Sequence, residues 1–125
     1  MLIGTLFACA QAPKSENVSF PTGRGWEALS ETAKLFYVQG IKDGQTSAAY
    51  LLPPEFRDLV LRATQAKGFT PGDYVKELDK LFEERENLNI FVLLAYGYVT
   101  RKLQGANTSQ ELEQILVELR KTMAK

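Results

Sequence analysis

The chain has 125 residues, of which 45% are apolar and 10% aromatic, and its 15 basic residues balance its 15 acidic ones. This length predicts one domain with a single modest core, and the even spread of charge predicts no nucleic-acid partner. The absence of histidine excludes histidine bases, Ser-His and Cys-His nucleophile pairs and histidine-rich zinc sites.

The first ten residues, MLIGTLFACA, are apolar and are typical of the end of an export signal. They are too few to cross a bilayer, which takes about 20 apolar residues. Leu6-Phe7-Ala8-Cys9 resembles the bacterial lipobox, which would make Cys9 a lipidation site and the chain's only membrane anchor. We therefore expect a periplasmic protein or an anchored lipoprotein, and a cytoplasmic protein if this segment is not a signal.

Residues 11 to 25 are rich in Pro, Gly and small polar residues, so we interpret them as a linker that leads to a helical domain at 26–125. Trp26 is the only tryptophan. We expect it either to fix the linker onto the domain or to form an exposed anchor for a partner.

The first long helix is predicted from about Glu31 to Tyr50, with Ser30 as its N-cap. Gly40 and Gly44 fall on its apolar stripe, although a glycine costs about 1 kcal/mol in a helix interior. We expect these glycines to admit a closely packed neighbouring element or, alternatively, a ligand that contacts bare backbone. Lys34 is assigned to the polar face, with its charge in water.

Four further helices follow, and each has a recognisable start or stop signal. Asn87 or Asn89 is expected to cap the third of these, which carries no charge from residue 90 to residue 99. The predicted ranges are Pro54 to Gly68, Pro71 to about Glu84 with Thr70 as its cap, Ile90 to Gln104, and a last helix that follows the capping-box sequence Thr108-Ser109-Gln110-Glu111. The prediction is an all-α, single compact bundle of about five helices around a buried fourth helix.

Two alternatives to partner binding stay open. The densest carboxylates, Asp79, Glu83, Glu84 and Glu86, could present oxygens to a hard cation in a carboxylate or metal-assisted enzyme. Because Lys80 and Arg85 lie among them, ordinary surface ion pairs are the favoured interpretation, with no metal, cofactor or catalytic residue. The apolar seam of the last helix could instead pair between chains in a structural homodimer.

The central part of the chain resembles small exported helical proteins of bacteria and is similar to the Rap1a/Tai immunity-type domain, whose helix carries an aromatic residue followed by a glycine. The residues that carry this resemblance are Trp26, Leu29-Ser30, Lys34, Tyr37-Val38-x-Gly40, Asp43-Gly44, Tyr74 to Phe82, Asn87 and Gly105. The resemblance implies a non-catalytic envelope protein, immunity-like or an adaptor, that binds another protein. The predicted partner surface comprises Trp26, Lys34, Tyr37, Gly40, Asp43 and Gly44.

Overall fold

The computed structural model of the chain describes residues 21–124, and within them it contains six α-helices, one turn of 3₁₀-helix and no strand. The helices are α1 (Gly23–Glu27), α2 (Glu31–Tyr50), α3 (Pro54–Thr64), α4 (Pro71–Glu83), α5 (Val92–Gln104) and α6 (Ser109–Met123), and the 3₁₀ turn is Arg85–Asn87. The predicted all-α fold is confirmed. The predicted export segment with Cys9 and residues 11–20 of the predicted linker lie outside the described residues.

Local capping signals start three of the helices where the sequence predicts them. The Ala33 N–H donates to Ser30 Oγ at 3.2 Å at the start of α2. Thr70 and Thr108 each form a reciprocal capping box with the acidic residue three positions later, at the starts of α4 and α6. Each cap satisfies backbone N–H groups that have no partner inside the helix.

Residues 21–25 belong to the folded domain, although the sequence analysis assigned them to the linker. The Gly23 N–H donates to the Ile90 carbonyl at 3.1 Å, and the Val92 N–H donates to the Pro21 carbonyl at 2.8 Å. These bonds hold Ile90 and Phe91 outside the helix, so α5 begins at Val92 rather than at Ile90.

The predicted asparagine cap of α5 is wrong. Phe91 occupies the N-cap position and makes no side-chain cap bond. Asn87 is buried and donates from Nδ2 to the Leu81 carbonyl at 2.8 Å, so it fixes the end of α4 instead. Asn89 accepts from Arg24 at 3.2 Å.

The core lies around α4, which packs against α1, α2 and α5. Among its buried side chains, Tyr74 of α4 stacks on Tyr96 of α5 with ring centroids 4.4 Å apart. The predicted fourth helix, from Ile90 to Gln104, corresponds to α5. The prediction that other helices cover it on every side is wrong, because Leu93 and Leu94 of α5 are 46% and 39% exposed. An uncharged sequence does not itself fix which faces of a helix are covered.

Candidate interaction surface

The inner side of α2 carries a polar cluster, which we call the inner cluster: Trp26, Lys34, Tyr37 and Asp79. Asp79 Oδ1 accepts from Trp26 Nε1 and from Lys34 Nζ, each at 2.8 Å. The Lys34 ammonium also lies 5.4 Å from the centre of the Trp26 ring, within the range of a cation–π contact. The cluster therefore ties α1 and α2 to α4 through one carboxylate oxygen.

Lys34 is buried, which corrects the expectation that its charge lies in water. The residue is only 9% exposed, and its apolar stem covers the core while its head group reaches Asp79. The hydrogen bond from Lys34 to Asp79 raises the pKa of the lysine, against a smaller opposing effect of burial. The ammonium is thus held charged by an internal partner.

Trp26 and Lys34 therefore do not belong to an exposed partner surface, since Trp26 is only 1% exposed. Tyr37 is partly buried and meets the Trp26 ring edge-on, with centroids 6.3 Å apart. Burial raises the pKa of the Tyr37 hydroxyl. Of the two interpretations of Trp26, the structure agrees with the one that fixes the N-terminal segment onto the domain.

The other three predicted partner residues, Gly40, Asp43 and Gly44, are exposed on α2. The structure therefore separates the predicted set: one half builds the inner cluster, and the other half lies on what we call the outer face. The outer face consists of the exposed residues of α2: Glu31, Thr32, Leu35, Phe36, Gly40, Asp43, Gly44, Ser47, Ala48 and Tyr50.

Within residues 21–124 no neighbouring element packs against the two glycines, so the expectation of a closely packed element is wrong for this part of the chain. A Cβ atom added at Gly40 or at Gly44 would meet no atom within 4 Å. Nothing within the described residues therefore requires glycine at these positions. The bare backbone is open to solvent, which is compatible with the alternative expectation of an external ligand or partner.

Charge is scarce on the outer face. Of its ten residues only Glu31, in the first turn, and Asp43 are charged, and Asp43 already accepts from Gln39 Nε2 at 2.8 Å. By contrast, every exposed residue of α6 is polar. A 20-residue helix with so few charges toward solvent departs from the usual pattern of a surface helix.

Phe36 is the largest side chain near the middle of the outer face and is 74% exposed. It borders an apolar groove of about 390 Å³ between α2 and the start of α4, which is also lined by Leu35, Gln39 and Pro71. A binding partner could therefore cover the exposed Phe36 ring and also insert an apolar side chain into the adjacent groove.

The outer face continues into an apolar corner where α2 turns into α3. We define this apolar corner as Tyr50, Leu51, Leu52, Phe56 and Leu59. Leu51 is 88% exposed and Leu59 is 60% exposed. No residue of α3 is buried, although its sequence is amphipathic. The apolar side of α3 thus remains largely uncovered by the described part of the chain.

The acidic residues considered as a metal site are dispersed among cations. Asp79 belongs to the inner cluster, while Glu84 and Glu86 lie 3.6 Å and 3.3 Å from Arg120 of α6. Within residues 21–124, no three acidic or cysteine side chains come close enough to hold a metal ion together. Asp79, Glu84 and Glu86 thus form ion pairs, as the surface interpretation expects, but with Lys34 and Arg120 rather than with Lys80 or Arg85.

The seam of α6 is largely engaged inside the chain. Leu116 is buried in the core, and Leu119 and Met123 pack against it.

None of the helices between residues 21 and 124 is both long enough and apolar enough to cross a bilayer.

Sequence reasoning missed Asp79 as the centre of the inner cluster and Phe36 as an exposed residue. Asp79 lies 53 residues after Trp26, and no local signal joins them. For Phe36, the available signal was Gly40 and Gly44, which follow it at successive turns of α2. Such glycines are as compatible with a helix face open to solvent as with one packed against another element.

Searches of protein-family models, curated proteins and solved structures found no match to this chain. The resemblance to the Rap1a/Tai immunity-type domain therefore stays a prediction.

Proposed function

We propose that this chain is a non-catalytic, protein-binding protein of the bacterial cell envelope, immunity-like or an adaptor, that holds its partner on the outer face of α2 and the apolar corner. The observation that carries the proposal is the outer face, where Phe36 and two open glycines stand among few charges. Exposed apolar surface of this kind marks protein-interaction sites in soluble domains.

The inner cluster supports this function indirectly. The Asp79 carboxylate of α4 accepts hydrogen bonds from Lys34 of α2 and from Trp26 of α1, and so holds the inner side of α2 in place. A helix held rigidly on its inner side presents its outer side with little loss of conformational freedom on binding. The glycines then allow a partner helix or loop to approach the α2 backbone closely.

The envelope location rests on the sequence of the first ten residues. It is tested by expressing the native gene with its own upstream region and measuring the intact mass and cellular fraction of the product. A membrane-associated chain that begins at Cys9 and carries acyl groups agrees with the proposal. A soluble cytosolic chain that retains Met1 contradicts the location.

Partner binding is tested by placing a photo-crosslinking phenylalanine analogue at position 36 in cells of the native organism. The matched control places the same analogue at Gln110, an exposed residue of α6. We expect one discrete adduct that forms from position 36 and not from position 110. Equal labelling from both positions, or no adduct from either, would contradict the proposal.

A further inference from the structure

A second surface feature lies beside the outer face, at the point where α2, the end of α3, the α3–α4 loop and the end of α5 meet. It is a groove of about 600 Å³, which we call the basic groove, and its lining includes Lys42, Arg62, Lys67, Phe69, Leu103 and Gln104. Lys42 is the residue directly before Asp43, so the groove adjoins the outer face along α2.

The basic groove carries three cations and no carboxylate. Lys42, Arg62 and Lys67 come from three different segments, and no acidic side chain is among the lining residues. All ion pairs found within residues 21–124 use other cations, namely Lys34, Lys80, Lys102, Arg120 and Lys121. The three positive charges of the groove are therefore not neutralised by a partner within that part of the chain.

The acidic residues nearest in sequence, Asp43 and Asp58, form no ion pair with these cations in the described structure. Asp43 accepts from Gln39. The Arg62 guanidinium donates from Nε to the backbone carbonyl of Asp58 at 3.3 Å, and no ion pair joins it to the Asp58 carboxylate. Neither carboxylate lines the groove.

Cations at the end of a helix often serve to satisfy its last carbonyl groups. Here a neutral side chain does so, because Gln104 Nε2 donates to the carbonyls of Arg62 and Gln65, each at 2.9 Å. The end of α3 therefore does not need Arg62 or Lys67 as a cap. The same two bonds tie α3 to α5 at the groove, which Gln104 helps to line.

The groove is also partly apolar. Phe69 is 37% exposed at its edge, and Leu61 and Leu103 line it together with the cations. A row of cations without apolar contacts would suit a nucleic-acid backbone, whereas alternating charge and apolar surface suits a peptide. The balanced net charge of the chain also argues against nucleic acid.

We propose that the basic groove binds an acidic segment of the partner protein, with its carboxylates on Lys42, Arg62 and Lys67 and an apolar side chain against Phe69. This inference rests on the proposed function for the existence of a partner, and it adds the chemistry by which that partner is recognised. Carboxylates form charge-assisted hydrogen bonds with Arg and Lys, and Arg can engage them with two parallel bonds.

The test is a titration of the ¹⁵N-labelled full chain with a capped synthetic peptide of sequence Glu-Glu-Leu-Glu-Glu, followed by NMR. We expect saturable shifts of the amide signals of Gly68 and Phe69. The triple variant Lys42→Gln/Arg62→Gln/Lys67→Gln should bind about 10- to 100-fold more weakly, a factor of the order that three surface ion pairs supply.

The matched control is Lys76→Gln/Arg85→Gln/Arg101→Gln, which removes the same charge from exposed cations that form no ion pair in the described structure. It should change the affinity less than about twofold, because these cations lie outside the groove. An equal loss in both triple variants would overturn the proposal, and so would the absence of saturable binding.

Two further probes decide the class of ligand. Tighter binding of a short single-stranded DNA or of inorganic phosphate than of the peptide would overturn the assignment to an acidic protein segment. Because the titration uses no native partner, a failure here contradicts the basic groove alone. The crosslinking at position 36 tests the proposed function separately.

Discussion

Replacing Asp79 with alanine should destabilise the domain more than any other single change to a charged residue of α4. One carboxylate oxygen accepts from both Trp26 Nε1 and Lys34 Nζ at 2.8 Å. The Asp79→Ala variant therefore leaves two donors of the inner cluster without their acceptor at once.

The size of the effect follows from the burial of these donors. Trp26 is 1% exposed, and its N–H loses its acceptor after the change, which costs about 1–3 kcal/mol. Lys34 is 9% exposed and keeps a longer contact of 3.6 Å with Glu31. Loss of the Lys34–Asp79 ion pair adds only about 1 kcal/mol, because the flexible lysine head group can move toward solvent. The expected total is about 2–4 kcal/mol, a large part of the stability of a small domain.

Urea denaturation measures this prediction directly. For a domain of this size, a loss of this order lowers the urea midpoint by about 1–2 M, with an unchanged slope. The control is Glu83→Ala, one turn further along α4, where the side chain is exposed and forms no ion pair in the described structure. It should cost about 0.5 kcal/mol or less. If both variants unfold at the same midpoint, the inner cluster does not hold α2 in the way described.

Two other predictions concern stability. Gly23→Ala should cost about 1–3 kcal/mol, because its Cβ would lie 2.6 Å from Cε1 of the buried Phe82 ring. Gly25→Ala should be tolerated, because among the described residues its Cβ would meet nothing closer than 3.7 Å. Urea midpoints of the two variants compare these costs. The hydrogen bond from Lys102 lowers the pKa of the Glu77 carboxyl below its usual 4.5. The protein should therefore be more stable to unfolding than its Glu77→Gln variant. This difference should be complete above about pH 4.5 and should shrink as the pH falls through the lowered pKa of the folded state. Unfolding free energies at several pH values check this, and a difference that does not change with pH would refute it.

Local signals in the sequence were sufficient to predict most of the helices. Ser30, Thr70 and Thr108 each cap the helix that they were expected to cap, because capping depends on residues within one turn. The end of α3 was misplaced by a few residues: Gln65 is extended, so the helix stops at Thr64 rather than at Gly68.

The orientation of α2 could not be predicted in the same way. Apolar residues occur on more than one side of this helix, so its periodicity did not tell which side is covered. The inner side is fixed by Asp79, which lies 45 residues after Lys34 in the chain. This long-range ion pair buries the lysine and leaves Phe36 and the two glycines facing outward.

The measurement that tests the central claim most directly compares two glycine variants, Gly40→Leu and Gly97→Leu. Both glycines are helical and exposed, and a Cβ at either position would meet no neighbouring atom of residues 21–124 within 4 Å. Each substitution should therefore stabilise the fold, by about 0.5–1 kcal/mol. The affinity for the partner captured through position 36 is then measured for each purified variant. We predict that Gly40→Leu weakens binding about tenfold or more, because the new side chain holds the partner away from the α2 backbone, while Gly97→Leu leaves binding unchanged. Equal affinity of the two variants would contradict the assignment of the outer face as the partner site.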